Sequence, residues 1–271
     1  MTDPTRSYNN TDYPSIPSVA GSAKKNTQPI IDALRPYIER SLTSTVPVPD
    51  ERAATGPHGS DPQGLGPQGL GFKEDWTTRP ETGHGNKIRP KILELASGTG
   101  EHLASYATEW DGVDWVGSER ERSETNNILP PVQLDVLNDA DWEGVRGRYG
   151  RGWGSEDTQE AEHGGFDGMI INNLLHCAPF PVTPSSIFRH ATTLLKPAGW
   201  ISFYGAFRGD DGGFESEGDR KFHERFISLD PTFGLRTIPS IQRIAEENGW
   251  RMVERKGMMS GNWMVFFERS I

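Results

Sequence analysis

The sequence predicts an α/β protein whose mostly parallel sheet is covered by helices on both faces. Three observations carry that reading. From Pro90 onward, short apolar runs alternate with stretches of helical spacing, the pattern of strands joined by crossover helices. The first apolar run, 92–95, leads through a small-residue turn holding Gly98 and Gly100 into a helix over 101–108. The last two runs are joined directly, with no helix between them, so they add an antiparallel member.

Taken in order, residues 1–21 are polar and rich in Pro, Ser and Asn, the composition of a mobile tail, and a single domain is expected over 22–271. A helix is expected over 22–40, where Ile30, Ile31, Leu34, Tyr37 and Ile38 share one face; Pro29 suits a helix start and Pro36 predicts a bend or break. Residues 43–87 crowd Pro and Gly, with Pro62-Gln63-Gly64-Leu65-Gly66 repeated at 67–71, and read as a flexible insertion. After the first strand, further strands are expected at 113–117, 132–136, 166–173, 200–206, 251–256 and 263–267, seven in all. Helices are expected over 138–149, 184–195 and 238–248, the last closed by Gly249, and the acidic, glycine-rich 150–165 reads as a solvated loop.

Composition narrows the function. With 28 Lys+Arg against 38 Asp+Glu, the net charge of -10 repels a phosphate backbone, which disfavours nucleic acid as a partner. The single cysteine, Cys177, allows no intrachain disulfide. No apolar run approaches the ~20 residues that span a bilayer, and the first residues lack the apolar core of a secretory signal. The expectation is a soluble, cytoplasmic protein. No histidine–cysteine or paired-carboxylate spacing suggests a metal.

In an open sheet of this kind, ligands sit beyond the carboxyl ends of the strands. The turn with Gly98 and Gly100 lets backbone approach a ligand closely, and the helix start behind it favours an anionic group. Dinucleotides and S-adenosylmethionine both use such a turn, but the dinucleotide fingerprint wants a glycine where Leu103 stands, which disfavours a dehydrogenase. Glu94 precedes the turn. Glu119 follows the second strand, placed to accept from ribose hydroxyls, and Asp135 closes the third, placed to accept from an adenine amino group or to cap a helix. Asn172 ends the fourth strand, and His176 behind it is a candidate general base, or a histidine satisfied at a turn. Tyr204 is the second candidate base. Arg208, His223, Arg236 and Asn262 are candidates for the substrate side, with ion-pair or turn roles as the bland alternatives.

With these residues in hand, the chain resembles the DUF938 (UPF0585) family of the class I S-adenosylmethionine-dependent methyltransferase superfamily. The resemblance rests on Lys25-Asn26 before Pro29-Ile30, Leu93-Glu94-Leu95-Ala96-Ser97-Gly98-Thr99-Gly100-Glu101-His102, Leu134-Asp135-Val136, Asn172-Asn173-Leu174-Leu175-His176, and Tyr204-Gly205-Ala206-Phe207. Departures fall at Lys25, where the family has arginine, at Glu119 for an aspartate, at His223 in an aspartate position, and across 258–262. The resemblance implies a Rossmann-like class I methyltransferase fold of seven strands and S-adenosylmethionine as cofactor. It assigns Lys25, Asn26, Glu94, Ala96, Ser97, Gly98, Gly100, His102, Glu119, Asp135, Val136 and Asn172 to the cofactor pocket. The acceptor expected is a small-molecule or peptide nucleophile, methylated on oxygen or nitrogen; the alternative is a non-catalytic S-adenosylmethionine-binding or scaffold protein.

Overall fold

The apolar runs form β1 (Lys91–Leu95), β2 (Asp114–Gly117), β3 (Phe166–Asn172), β4 (Leu195–Ala206), β5 (Trp250–Gly257) and β6 (Asn262–Arg269). Between and before them lie helices α1 (Ser22–Thr43), α2 (Glu101–Glu109), α3 (Asp139–Tyr149), α4 (Val182–Leu194), α5 (Glu217–Leu229) and α6 (Ile238–Glu247). This computed structural model describes residues 22–44, 89–118, 126–149 and 165–270. All of them belong to one unit, residues 1–44 with 89–271. The expected tail at 1–21 and nearly all of the expected insertion at 43–87 lie outside the described residues, as does the loop from 150 to 164.

The strands make one mixed sheet in the order β2-β1-β3-β4-β6-β5. The first four are parallel, and β6 runs antiparallel between β4 and β5. Side-chain alternation splits the core in two. Leu93, Ile171, Phe203 and Val265 face α3, α4 and α6, while Ile92, Ile170, Trp200 and Phe266 face α1 and α2.

Three expectations need correction. The sheet has six strands among the described residues, and 132–136 is not one of them. Pro130 and Pro131 bring no backbone donors to the edge of β2, so the segment is tied there only by Val132 N donating to Gly117 O (3.0 Å) and a bridge between Trp115 and Ile128. Pro36 does not end α1, which runs 22 residues with both Pro29 and Pro36 inside it. Pro36 lies on the exposed side, and complete burial of Ile30, Leu34 and Ile38 contributes roughly 1.5–3 kcal/mol each. That outweighs the ~3 kcal/mol an interior proline costs. Finally, α5 lies in the polar, glycine-rich passage between 206 and 238, for which the sequence reading gives no helix. Ser216 caps it by accepting from Asp219 N, but Phe226 is its one buried residue, so its apolar period is thin.

Among the described residues, no helix is long and apolar enough to cross a membrane.

Candidate functional site

The turn after β1 is shaped by backbone that few side chains tolerate. Ala96, Gly98 and Gly100 all have positive φ (52°, 56° and 76°). Ser118, just beyond β2, braces it: its Oγ accepts from Ala96 N at 2.8 Å, and its own N–H donates to Glu94 O at 3.0 Å. Gly117 lets α2 and the turn come close, because a Cβ there would stand 2.9 Å from Leu103 Cδ2 and 3.0 Å from Ser97 Oγ. By contrast, a Cβ built on Gly98 or Gly100 meets nothing within 4 Å. The turn therefore has open space above it. No side chain caps α2, whose N-cap is Gly100 itself, so its first N–H groups face outward for an acceptor.

Beneath the turn, the face that packs on α1 and α2 changes from apolar to polar at the carboxyl ends of the parallel strands. Glu94 and Asn172 are both buried there. Asn172 Nδ2 donates to Glu94 Oε1 at 2.8 Å and to the Tyr106 hydroxyl at 3.1 Å. Asn172 Oδ1 is buried without a hydrogen-bond partner, a state that costs about 1–3 kcal/mol until a donor arrives. Burial and the neighbouring Glu94 raise the Tyr106 phenol well above its ordinary pKa, so it stays protonated. Tyr204 pairs with Asn172 across β3 and β4. Its phenol is pushed up to about 12 by burial, against a hydrogen bond from the Asn262 side chain. Asn173, next in line, also takes positive φ (55°), so two adjacent parallel strands end in strained backbone, a feature that clusters at ligand sites.

The first turns of α1 and α2 meet beside this band. Thr27 Oγ1 lies 3.4 Å from His102 Nδ1, and the His102 ring stacks on Tyr106 at 6.0 Å. Burial lowers the His102 pKa. A cleft of about 530 Å³ opens here, lined by Lys24, Thr27, Gln28, Glu101 and Ser105. Lys25 is exposed on the same turn of α1 and Asn26 half-buried.

Other expected residues fall elsewhere or out of view. Glu119 lies outside the described residues. Asp135 Oδ1 accepts from Leu137 N at 2.9 Å, and Asp135 N donates to Asp141 Oδ2 at 2.7 Å, so this residue helps build the turn into α3. Burial is the main reason its pKa is raised. Val136 packs against the opposite core, and its carbonyl accepts from Trp142 Nε1. Leu103, where a dinucleotide fingerprint wants glycine, is buried in α2.

His176 packs edge-on against Phe222 and Phe226, with centroids 5.0 and 4.8 Å away. Burial lowers its pKa to about 4, leaving a neutral, weakly basic ring at pH 7. Its carbonyl accepts from Gly234 N, which draws the loop after β3 toward the one before α6. Arg208, His223 and Arg236 gather around the same loops: Arg208 N donates to Arg236 O at 2.7 Å, and His223 Nδ1 accepts from Leu235 N at 3.0 Å. Asn262 donates to Met259 O within the final hairpin. Tyr106 and Ser118 are the contributors that residue pattern alone did not single out. Tyr106 was signalled only by standing one helical turn after His102.

Comparison with known proteins bears on this arrangement. The model of a family described as "Protein of unknown function (DUF938)" matches residues 82–269. Among solved structures, the chain is similar to an O-methyltransferase family protein from Burkholderia thailandensis, at 15% identity over 67% of this chain and 51% of that one, TM-score 0.50. A candidate O-methyltransferase from Nostoc punctiforme matches at 12% identity over 66% of this chain and 51% of its own, TM-score 0.50. Human N-acetylserotonin methyltransferase, solved in complex with SAM, matches at 13% identity over 68% and 48%, TM-score 0.49. The chain spans about half the length of these solved chains. At such identities, the two matches at a TM-score of 0.50 show the fold alone, an α/β fold of the kind those O-methyltransferase family proteins have.

Proposed function

Because the chain belongs to the DUF938 family and carries a methyltransferase fold, we propose that it binds S-adenosylmethionine over the β1–α2 turn and methylates a small-molecule or peptide nucleophile, on oxygen or nitrogen. The observation that carries this reading is the open turn: Gly98 and Gly100 hold positive φ with nothing within 4 Å of where a Cβ would stand. The residues around it suit the cofactor's chemistry. The uncapped start of α2 suits its carboxylate, Asn172 Oδ1 is a buried acceptor lacking a donor, and the Glu94 carboxylate sits under the turn.

When bound, the cofactor supplies a sulfonium methyl that needs little activation beyond alignment with a nucleophile. Asn172 holds the Glu94 carboxylate in place and is itself bonded to the Tyr106 hydroxyl, while α1, with Lys25 and Asn26, flanks the cleft beside His102. Glu119 is assigned to the ribose and Asp135 with Val136 to the adenine side, on their order along the chain. Tyr204 and Asn262 flank the acceptor's path. Tyr204, protonated at pH 7, serves as a donor that orients rather than a base that abstracts. His176, with its pKa near 4, is poorly matched to general-base work at neutral pH. That mismatch favours catalysis by positioning, and it is also the one observation on the side of a binding protein without turnover.

Calorimetry with S-adenosylhomocysteine tests the reading. Binding is expected for the full chain and is lost in Glu119→Ala. A chain that binds neither S-adenosylhomocysteine nor S-adenosylmethionine refutes it, and turnover across an acceptor panel separates an enzyme from a binder.

A further inference from the structure

Arg208 and Arg236 are partly buried and differ from the arginines that form ion pairs at the surface of this chain. Arg35, Arg40, Arg220, Arg251 and Arg255 each meet an Asp or Glu. Among the described residues, neither Arg208 nor Arg236 does; their partners are carbonyls. Each guanidinium instead donates one Nη2 to a carbonyl four residues away, Arg208 to Gly212 and Arg236 to Thr232. Each also lies over a phenyl ring at 4.6 Å, Arg208 on Phe214 and Arg236 on Phe180. Both Nε atoms are buried without a hydrogen-bond partner.

The two cations are held close on purpose-built backbone. Arg208 N donates to Arg236 O, and Arg208 bridges to Thr237 as an isolated β-pair. They feel each other: burial first, then Arg208, lowers the Arg236 pKa to about 10. His223 completes the group. Its Nδ1 accepts from Leu235 N, so the ring proton of the neutral form sits on Nε2 as a further donor. Its pKa is lowered by burial and by both arginines. Glu224, beside it on α5, pairs with Arg220 and opposes that shift on His223. Gathering two partly buried cations with no counter-ion is unfavourable unless something anionic completes them. Arg208 stands two residues beyond Ala206, which pairs with Asn262, so the cluster is at the same end of the sheet as the polar band.

We infer that Arg208, Arg236 and His223 form the recognition site for an oxyanion on the methyl acceptor, a carboxylate or a phosphate ester carried on an apolar, ring-sized body that packs with the phenyl rings. Guanidinium forks match both oxyanions and bind them through paired N–H donors. The inference rests on the methyltransferase reading for the word acceptor, but the oxyanion site stands or falls separately.

The test uses the full chain with saturating S-adenosylhomocysteine and three probes of one shape: benzoate, phenyl phosphate and neutral benzamide, followed by NMR titration. At least one oxyanion is expected to bind, with benzamide weaker by about 10- to 100-fold, the value of hydrogen bonds to a charged group. Arg208→Gln and Arg236→Gln are expected to lose the same factor while S-adenosylhomocysteine affinity holds. Which oxyanion binds better identifies the acceptor's group. The inference is overturned if benzamide binds as well as both anions, if neither anion binds at millimolar concentration, or if neither variant weakens binding. Should the variants fail to fold, the wild-type chain decides: an oxyanion must raise its thermal midpoint where benzamide does not, and equal effects overturn the site. Oxyanion binding in a chain that ignores S-adenosylhomocysteine would remove the cofactor reading and leave this site in place.

Discussion

Gly100 and Gly249 offer a matched pair of perturbations. Gly100 opens α2 with φ 76°, and Gly249 follows α6 with φ 79°; a Cβ at either meets nothing within 4 Å. Alanine in the left-handed region costs roughly 1–2 kcal/mol, and with no clash to add, Gly100→Ala and Gly249→Ala should lose similar stability. For a domain of this size that is a fall of about 2–8 °C in melting temperature. Strain of this kind is present with and without ligand, so it cancels from a dissociation constant. Only occupied space remains. If the cofactor lies against the turn, the new methyl group of Gly100→Ala should weaken S-adenosylhomocysteine by about tenfold or more, some 1.4 kcal/mol per tenfold, and Gly249→Ala should leave it alone. Calorimetry and thermal melts of the two variants provide both numbers. Wild-type affinity in Gly100→Ala, with the stability loss present, would refute the placement of the cofactor.

Further outcomes follow from the packing. The His176 pKa is depressed to about 4 by burial, so its contribution is complete above its unfolded value of about 6.5 and is lost as pH falls toward 4. Denaturant melts at about pH 7.5 and about pH 5 should therefore show a loss of about 2 kcal/mol that His176→Leu lacks. Asn127 Nδ2 donates to the carbonyls of Ala107, Trp110 and Val113 from a buried position. Asn127→Ala should cost about 2–3 kcal/mol in a urea melt. A Cβ on Gly168 would stand 2.4 Å from the Trp200 ring, so Gly168→Ala should destabilise by about 1–3 kcal/mol. Adding Trp200→Leu should cost less than the sum of the two single changes, and strict additivity would show that the ring does not set the limit.

Much of the site was legible where local pattern and tertiary role agree. The switch from apolar run to glycine turn to helical spacing marks β1, the turn and α2 without reference to anything distant. Glu94 and Asn172 could be picked out because a polar side chain at the end of a buried strand is conspicuous. Their joining was not legible, since it depends on the sheet order that sets β3 beside β1 and on Tyr106 reaching down from α2. The same holds for Arg208 and Arg236, whose backbones meet only because the loop after β4 folds onto the one before α6. Local rules misled where packing outweighed them. Pro36 is carried by the apolar face of α1, and 132–136 has strand-like alternation but sits behind two prolines.

Helix α1 is gripped from several sides: Tyr37 stacks on Phe266 at 4.0 Å, Trp200 Nε1 donates to Ser41 Oγ, Arg40 pairs with Glu268, and Tyr37 donates to Glu254. Each of these holds joins the helix to β4, β5 or β6. The amphipathic helix is in effect a tethered ligand of its own sheet. A chain nicked by protease between residues 44 and 89 should still migrate as one particle, and a separately made 22–44 peptide should restore the melting temperature of a chain that begins at 89.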